Sequence, residues 1–217
     1  MPTWIICATR DMMTKLLLRA LAPIVLLAPA GGQNIAIPAQ PARVHPAPGT
    51  SIVRFAQIDQ GVYKGSKPKT DADYRFLQSK NIKYIVDLKF FPLLYRLERN
   101  KAKHYGMVVI PGTINASPVA PSEKRVNHIL CILADKRLRP IYFHCDVGRD
   151  RSSLIATLYQ IQFRGLPPRD AWPAMQQFGF KDGWTLRGLK TYLQNHASSA
   201  QIPLNCASDR LRLSEGN

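Results

Sequence analysis

The segment His144-Cys145-Asp146-Val147-Gly148-Arg149-Asp150-Arg151-Ser152 places a guanidinium six positions after a thiol, with a hydroxyl directly after it. The intervening residues supply enough backbone to ring one tetrahedral anion. Successive amide N–H groups in such a ring form a nest for oxyanions, and a helix starting at its end adds partial positive charge. Gly148 tolerates the left-handed backbone that a tight ring needs. Arg151 can donate two parallel hydrogen bonds to phosphate oxygens, a geometry lysine cannot supply. The same field favours thiolate at Cys145, since helix N-termini and cations bring a cysteine pKa from about 8.5 into a range of roughly 3.5 to 7.5. An ionised sulfur beneath a cradled phosphorus is aligned for in-line attack, giving a phosphocysteine that water hydrolyses. Ser152 is placed to donate to that sulfur as it leaves. Asp146, Val147, Gly148 and Arg149 complete the expected phosphate site, and His144 is read as its brace. Singly, each residue has an ordinary reading: a cysteine after a strand is usually a small hydrophobe, an arginine at a helix start usually solvated. Their conjunction argues for phosphate chemistry.

Such a loop requires a buried strand before it and a helix after it. Ile141-Tyr142-Phe143, introduced by Pro140, reads as the strand, and residues 152–164 as the helix, stopped by Gly165. Between residues 51 and 196, short branched apolar runs alternate with helix-period segments, the pattern of an α/β domain. Two short strands are expected around Asp59-Gln60-Gly61, a helix from Thr70 to about Lys80, and a buried strand over 82–88. A helix over 93–105, a strand over 107–110 and a helix opening at Pro121-Ser122 follow. Residues 168–178 and 186–196 read as two more helices, with Pro173 in the first turn of the former or kinking it.

Lys15 and Arg19 precede an apolar stretch from Ala20 to Leu27 that Ala28-Pro29-Ala30 closes, so residues 1–30 read as a secretory signal peptide. An uncleaved membrane anchor is the competing reading, although the apolar run falls short of the roughly 20 residues a spanning helix needs. The expected compartment is periplasmic or extracellular. Residues 31–50, rich in proline and glycine, read as a linker, and 197–217 as a flexible tail. The chain carries +16, and without residues 1–30 it keeps 27 basic and 13 acidic side chains, so the excess belongs to the domain. That balance favours anionic partners. Charge alone would also suit a nucleic-acid-binding domain, but no such motif is present and no nucleic-acid partner is expected.

The segment HCDVGRDRS resembles the signature HCxxGxxR followed by Ser or Thr of cysteine-dependent phosphatases in the protein-tyrosine and dual-specificity superfamily. GVYKGSKPKTDADYRFLQSKNIKYIVDLK and SLIATLYQIQFRGLPPRDAWPAMQQFGF are similar to segments of its atypical bacterial dual-specificity-like members, extending the likeness over about residues 53–196. The resemblance implies a central, mostly parallel sheet of four or five strands flanked by helices, phosphomonoester hydrolysis, and neither metal nor organic cofactor. By position it carries nucleophile to Cys145, phosphate-binding guanidinium to Arg151, hydroxyl to Ser152 and the preceding imidazole to His144. The expected substrate is protein phosphotyrosine or, given Arg149 as a second basic side chain in the loop and the basic excess of the domain, a polyanionic inositol phosphate or phosphoinositide, and a monomer is expected.

One departure stands out. The family's general acid belongs on a loop that here is Pro111 to Pro121, and from Arg99 to Ser122 there is no carboxylate. Asp150 is the preferred acid, since myotubularin-type lipid phosphatases carry an Asp immediately before the loop Arg, against a structural role holding Arg149, Arg151 or the loop backbone; Asp146 is the reserve. An inactive phosphate-binding protein of the same fold is therefore the alternative function. Lys89 is read as a substrate contact or a solvated lysine. Cys131 is read as core, Cys206 has no assignment, and either could form a disulfide with Cys145 if near. Trp172, Trp184, Phe178 and Phe180 are expected to pack the C-terminal helices.

Overall fold

The computed structural model describes residues 45–89, 91–115, 117–197 and 206. The expected signal peptide (1–30), most of the expected linker and nearly all of the expected tail lie outside them. The chain orders as β1 (Ala56–Asp59), β2 (Val62–Ser66), α1 (Asp71–Ser79), β3 (Tyr84–Asp87), α2 (Pro92–His104), β4 (Val108–Pro111), α3 (Glu123–Ala134), β5 (Ile141–Cys145), α4 (Arg151–Arg164), α5 (Ala171–Gln177) and α6 (Arg187–Ala197). One five-stranded sheet runs β1-β2-β5-β3-β4. Only β1 is antiparallel, paired with β2 across a turn whose Gly61 has φ +71°. The mixed, mostly parallel α/β sheet matches the expectation.

β5 lies at the centre and all five of its residues are buried, as a strand covered on both faces must be. Successive residues alternate between two cores. Ile85 and Tyr142 join Tyr74, Leu77, Ala102 and Val109 on the α1/α2 side. Val86 and Phe143 join Val126, Leu130, Leu154, Ile155 and Leu189 on the side of α3, α4 and α6. α4 is buried from Ser152 to Ile161, which explains its nearly continuous run of small and apolar residues. α1 starts with a capping box between Thr70 and Asp73, whose buried carboxylate also accepts from the Ser51 N–H and hydroxyl at 2.6 and 2.7 Å. Pro173 takes the first of its two expected placements, in the first turn of α5.

Three expectations change. Residues 46–50, read as the end of the linker, fold into a turn: Pro46 bridges Val53, and Ala47 N–H donates to Ile52 O at 2.8 Å. Trp184 does not pack the C-terminal helices; it is 71% exposed, its ring 5.8 Å from the Arg187 guanidinium, whereas Trp172 meets Phe180 edge-on at 5.7 Å. Cys131 is buried on α3 but is not a free core thiol, because it forms a disulfide with Cys206, 75 residues along the chain. Partners so far apart leave no spacing signal in the sequence. Cys145 is the free cysteine among the described residues.

Candidate active site

Cys145 ends the central strand and Arg151 begins α4, so the phosphate-loop residues bridge the sheet's C-terminal edge to a helix N-terminus. Ser66 of β2 pairs with Cys145, and Asp87 of β3 with His144, which fixes the loop between its two neighbours. In such open sheets, ligands bind at the carboxyl ends of the strands. Gly148 has φ +64°, and a Cβ there would stand 2.5 Å from the Gly65 carbonyl carbon and 2.6 Å from the Ser66 nitrogen. Only glycine lets the loop lie this close to β2.

The loop is anchored from outside through its carbonyl groups. Lys67 N–H donates to Asp146 O at 3.3 Å, Arg54 Nη1 to Val147 O at 2.9 Å and Lys64 Nζ to Gly148 O at 3.2 Å. Lys64 is fully buried, donates also to Phe178 O at 2.7 Å, and lies 5.3 Å from the Phe178 ring centroid. Burial pulls its ammonium down to about 7, against the favourable charge of Cys145 and with the repulsion of Arg54. Sequence reasoning gave Lys64 no role, because its position inside a strand looks like an ordinary solvated lysine.

Cys145 is 1% exposed, and its Sγ lies 3.5 Å from the Ser152 hydroxyl. Burial pushes its pKa up, but the Ser152 hydroxyl, the amides of Ser152 and Arg149 and the Arg151 charge outweigh it, leaving the thiol more acidic than usual. Arg151 Nε donates to Ile114 O at 2.8 Å, which orients the guanidinium; its two terminal nitrogens have no protein partner among the described residues. A phosphate above Cys145 would find a thiol more acidic than usual, a helix N-terminus and a forked cation together.

His144 is fully buried and bonded by Nε2 to Glu98 Oε1 at 2.7 Å, while Lys67 meets Glu98 Oε2 at 2.7 Å. Asp87 Oδ1 stands 4.0 Å from His144 Nδ1. Burial alone would hold His144 neutral; Glu98, then Asp87 and Cys145, raise its pKa instead. Burial likewise opposes charge on Glu98, yet His144 and Lys67 hold it below its ordinary range, whereas burial pushes Asp87 up. These three residues bring potential metal-ligand atoms within 4.8 Å of one another. Lys67 and His144 already neutralise Glu98, so the cluster reads as an ion-paired support for the loop. Glu98 was missed by the sequence reading, because a lone glutamate on a helix looks like a solvated one.

Asp150 is buried, with Arg149 Nε on Oδ1 at 2.8 Å and Nη2 on Oδ2 at 3.2 Å. Asp146 pairs with Lys89, so Lys89 touches the loop itself. The loop that follows β4 holds against the sheet and α6 without a carboxylate: Gly112 and Ile114 N–H groups donate to Asp87 and Leu88 carbonyls at 2.8 and 3.0 Å. At Gly188 a Cβ would be 2.2 Å from Val119 O, so α6 admits this loop only at glycine.

A family model described as DSP-PTPase phosphatase fused to NAD+ kinase matches residues 39–181. No curated protein matches the chain. Among solved structures, the core catalytic domain of the PP-IP phosphatase SIW14 from S. cerevisiae, in complex with citrate, is 16% identical over 74% of this chain and 92% of its own, with a TM-score of 0.56. A cysteine-to-serine variant of P. aeruginosa TpbA in complex with pTyr is 21% identical over 82% of this chain and 99% of its own, with a TM-score of 0.55. PTPMT1 in complex with PI(5)P is 17% identical over 67% and 96%, with a TM-score of 0.52. At these identities the likeness is one of fold.

Proposed function

The chain belongs to the family described as DSP-PTPase phosphatase fused to NAD+ kinase, and is a cysteine-dependent phosphatase; on that premise we propose that it hydrolyses polyanionic phosphomonoesters of the inositol phosphate or phosphoinositide class. The observation that carries the reading is the acidified Cys145 thiol beneath Arg151, whose terminal nitrogens are left for a phosphate by the Ile114 carbonyl. In the first step the Cys145 thiolate attacks phosphorus, an S–P bond forms, the ester P–O bond breaks, and the departing oxygen takes a proton. In the second, water attacks phosphorus and gives a proton back to the group that protonated the leaving oxygen, the S–P bond breaks, orthophosphate leaves, and Ser152 donates to the restored thiolate.

We assign the proton to Asp150. Arg149 occupies both of its oxygens in the free protein, so the assignment requires Arg149 to transfer to a substrate anion, which releases the carboxyl to carry a proton at the moment of use. That exchange suits a substrate with a second phosphate, as do the loop cation Lys89 and the basic excess of the domain. Two structural neighbours, one a PP-IP phosphatase and one solved in complex with PI(5)P, support the class, while the pTyr complex supports phosphotyrosine. A silent phosphate-binding protein is the second reading, favoured by the carboxylate-free segment 99–122 and by the cations on both loop carboxylates. Phosphate release from phosphotyrosine peptide, phosphoinositides and soluble inositol phosphates, with wild type and Cys145→Ser, tests both. Release from the polyphosphorylated substrates in preference to phosphotyrosine peptide, lost in Cys145→Ser, is expected; phosphotyrosine preference refutes the substrate class, and no release from any of them the reaction.

Export accords with the pattern over residues 14–30 and with the Cys131–Cys206 disulfide, a bond that persists in oxidising compartments. Fractionation and intact mass should find a soluble exported protein lacking about its first 30 residues; cytosolic protein of full length contradicts this.

A further inference from the structure

Helix α2 has two faces with different fates. Glu98 and Ala102 turn inward and are buried, and the Tyr95 hydroxyl donates to Val109 O at 3.0 Å. On the opposite face Leu93 is 68% and Leu97 59% exposed. These two stand one helical turn apart, with exposed Leu94 beside them and exposed Phe91 continuing the row at the helix start. Arg96 and Lys103, both exposed, fall along one flank of the row by helical spacing. From Lys89 to Ser122 the single carboxylate is Glu98, which is buried under Lys67 and His144. The outer surface of α2 therefore offers leucines edged by cations and no anion of its own.

The row opens beside the phosphate loop. Lys89 Nζ pairs with Asp146 of that loop and lies 5.0 Å from the Phe91 ring centroid. Val147 in the loop is itself exposed. No described helix is long and apolar enough to cross a membrane. A short helix of this composition binds in the plane of an anionic interface, apolar residues at the acyl boundary and cations among the headgroups.

We propose that α2 docks the domain on an anionic lipid bilayer through Leu93, Leu94, Leu97 and Phe91, with Arg96 and Lys103 meeting lipid phosphates. The inference goes beyond the hydrolytic reading and does not depend on it. Full-length Cys145→Ser protein, which cannot turn over substrate, is sedimented with phosphatidylcholine vesicles with and without phosphatidylglycerol. Binding should require phosphatidylglycerol and weaken with added salt. Leu93→Ser/Leu97→Ser should bind roughly 30-fold less tightly, and Arg96→Glu/Lys103→Glu roughly tenfold or more. Both double variants should match the parent protein in far-ultraviolet circular dichroism and in urea midpoint, which shows them folded. No binding to phosphatidylglycerol vesicles overturns the proposal. So does unchanged binding of the leucine variant, which would place the lipid contact elsewhere, for example at residues 20–27. Self-association abolished by the leucine substitutions with vesicle binding unaltered also overturns it, assigning the row to an interface between copies.

Discussion

On the proposed reading Cys145 is the nucleophile, and the opposing effects on its sulfur leave it more acidic than an ordinary thiol. Burial favours the thiol, and the Ser152 hydroxyl, two amides and Arg151 more than cancel it. Alkylation by iodoacetamide should therefore titrate with a midpoint below the usual value of about 8.5. Ser152→Ala should move that midpoint up, as should Lys64→Met, which removes a cation from behind the loop. A midpoint unmoved by Ser152→Ala would remove that hydroxyl from thiolate stabilisation. Asp150 is the residue proposed to supply the leaving-group proton. Asp150→Asn should depress hydrolysis of an alkyl phosphate roughly a hundredfold and that of an activated phenyl ester far less, because only the poor leaving group needs its proton. Equal losses on both esters would leave Asp150 as an anchor for Arg149 alone. The thiol, guanidinium and hydroxyl were legible in the sequence because their spacing is local. The Asp150–Arg149 link was among the alternatives the sequence offered, whereas the Lys89–Asp146 link was not, since Lys89 lies at another strand end.

At the scale of elements, the loop is held by β2 and by the C-terminal ends of β3 and β5. The Glu98 side chain reaches from α2 to His144, joining a peripheral helix to the central strand. His144 has a raised folded pKa, so its contribution to stability is complete below about 6.5 and lost as pH rises through the raised value. Glu98 is depressed, so its contribution is present above about 4.3 and lost as pH falls through the lowered value. The pair thus stabilises most between those limits. Glu98→Gln should cost roughly 3 kcal/mol in that window, and less in alkaline solution, by urea unfolding at several pH values. A cost independent of pH would show that packing, not the ion pair, is lost. The helices and parallel strands were readable from apolar period and from Thr70, Pro121-Ser122 and Gly165. The Glu98–His144 contact was not, because it depends on the rotation of α2 about its axis.

Across the whole molecule, the sheet places the one free cysteine among the described residues at its centre, and the other two described cysteines, Cys131 and Cys206, close on each other. Cys206→Ser should lower stability by about 2–4 kcal/mol, seen as a reduced Tm, and leave aryl phosphate hydrolysis at room temperature unchanged. Loss of activity in the folded variant would tie the disulfide to the site. The sequence allowed an α/β phosphatase domain to be read over 51–196, yet the exposed Trp184 and the long-range disulfide escaped it, since neither leaves a periodic or local signature. The central claim is that phosphorus passes through Cys145. Protein denatured in detergent at neutral pH during turnover and digested without acid should yield the Cys145 peptide carrying one phosphoryl group, absent in Cys145→Ser; turnover without that adduct, or undiminished in Cys145→Ser, would contradict the account.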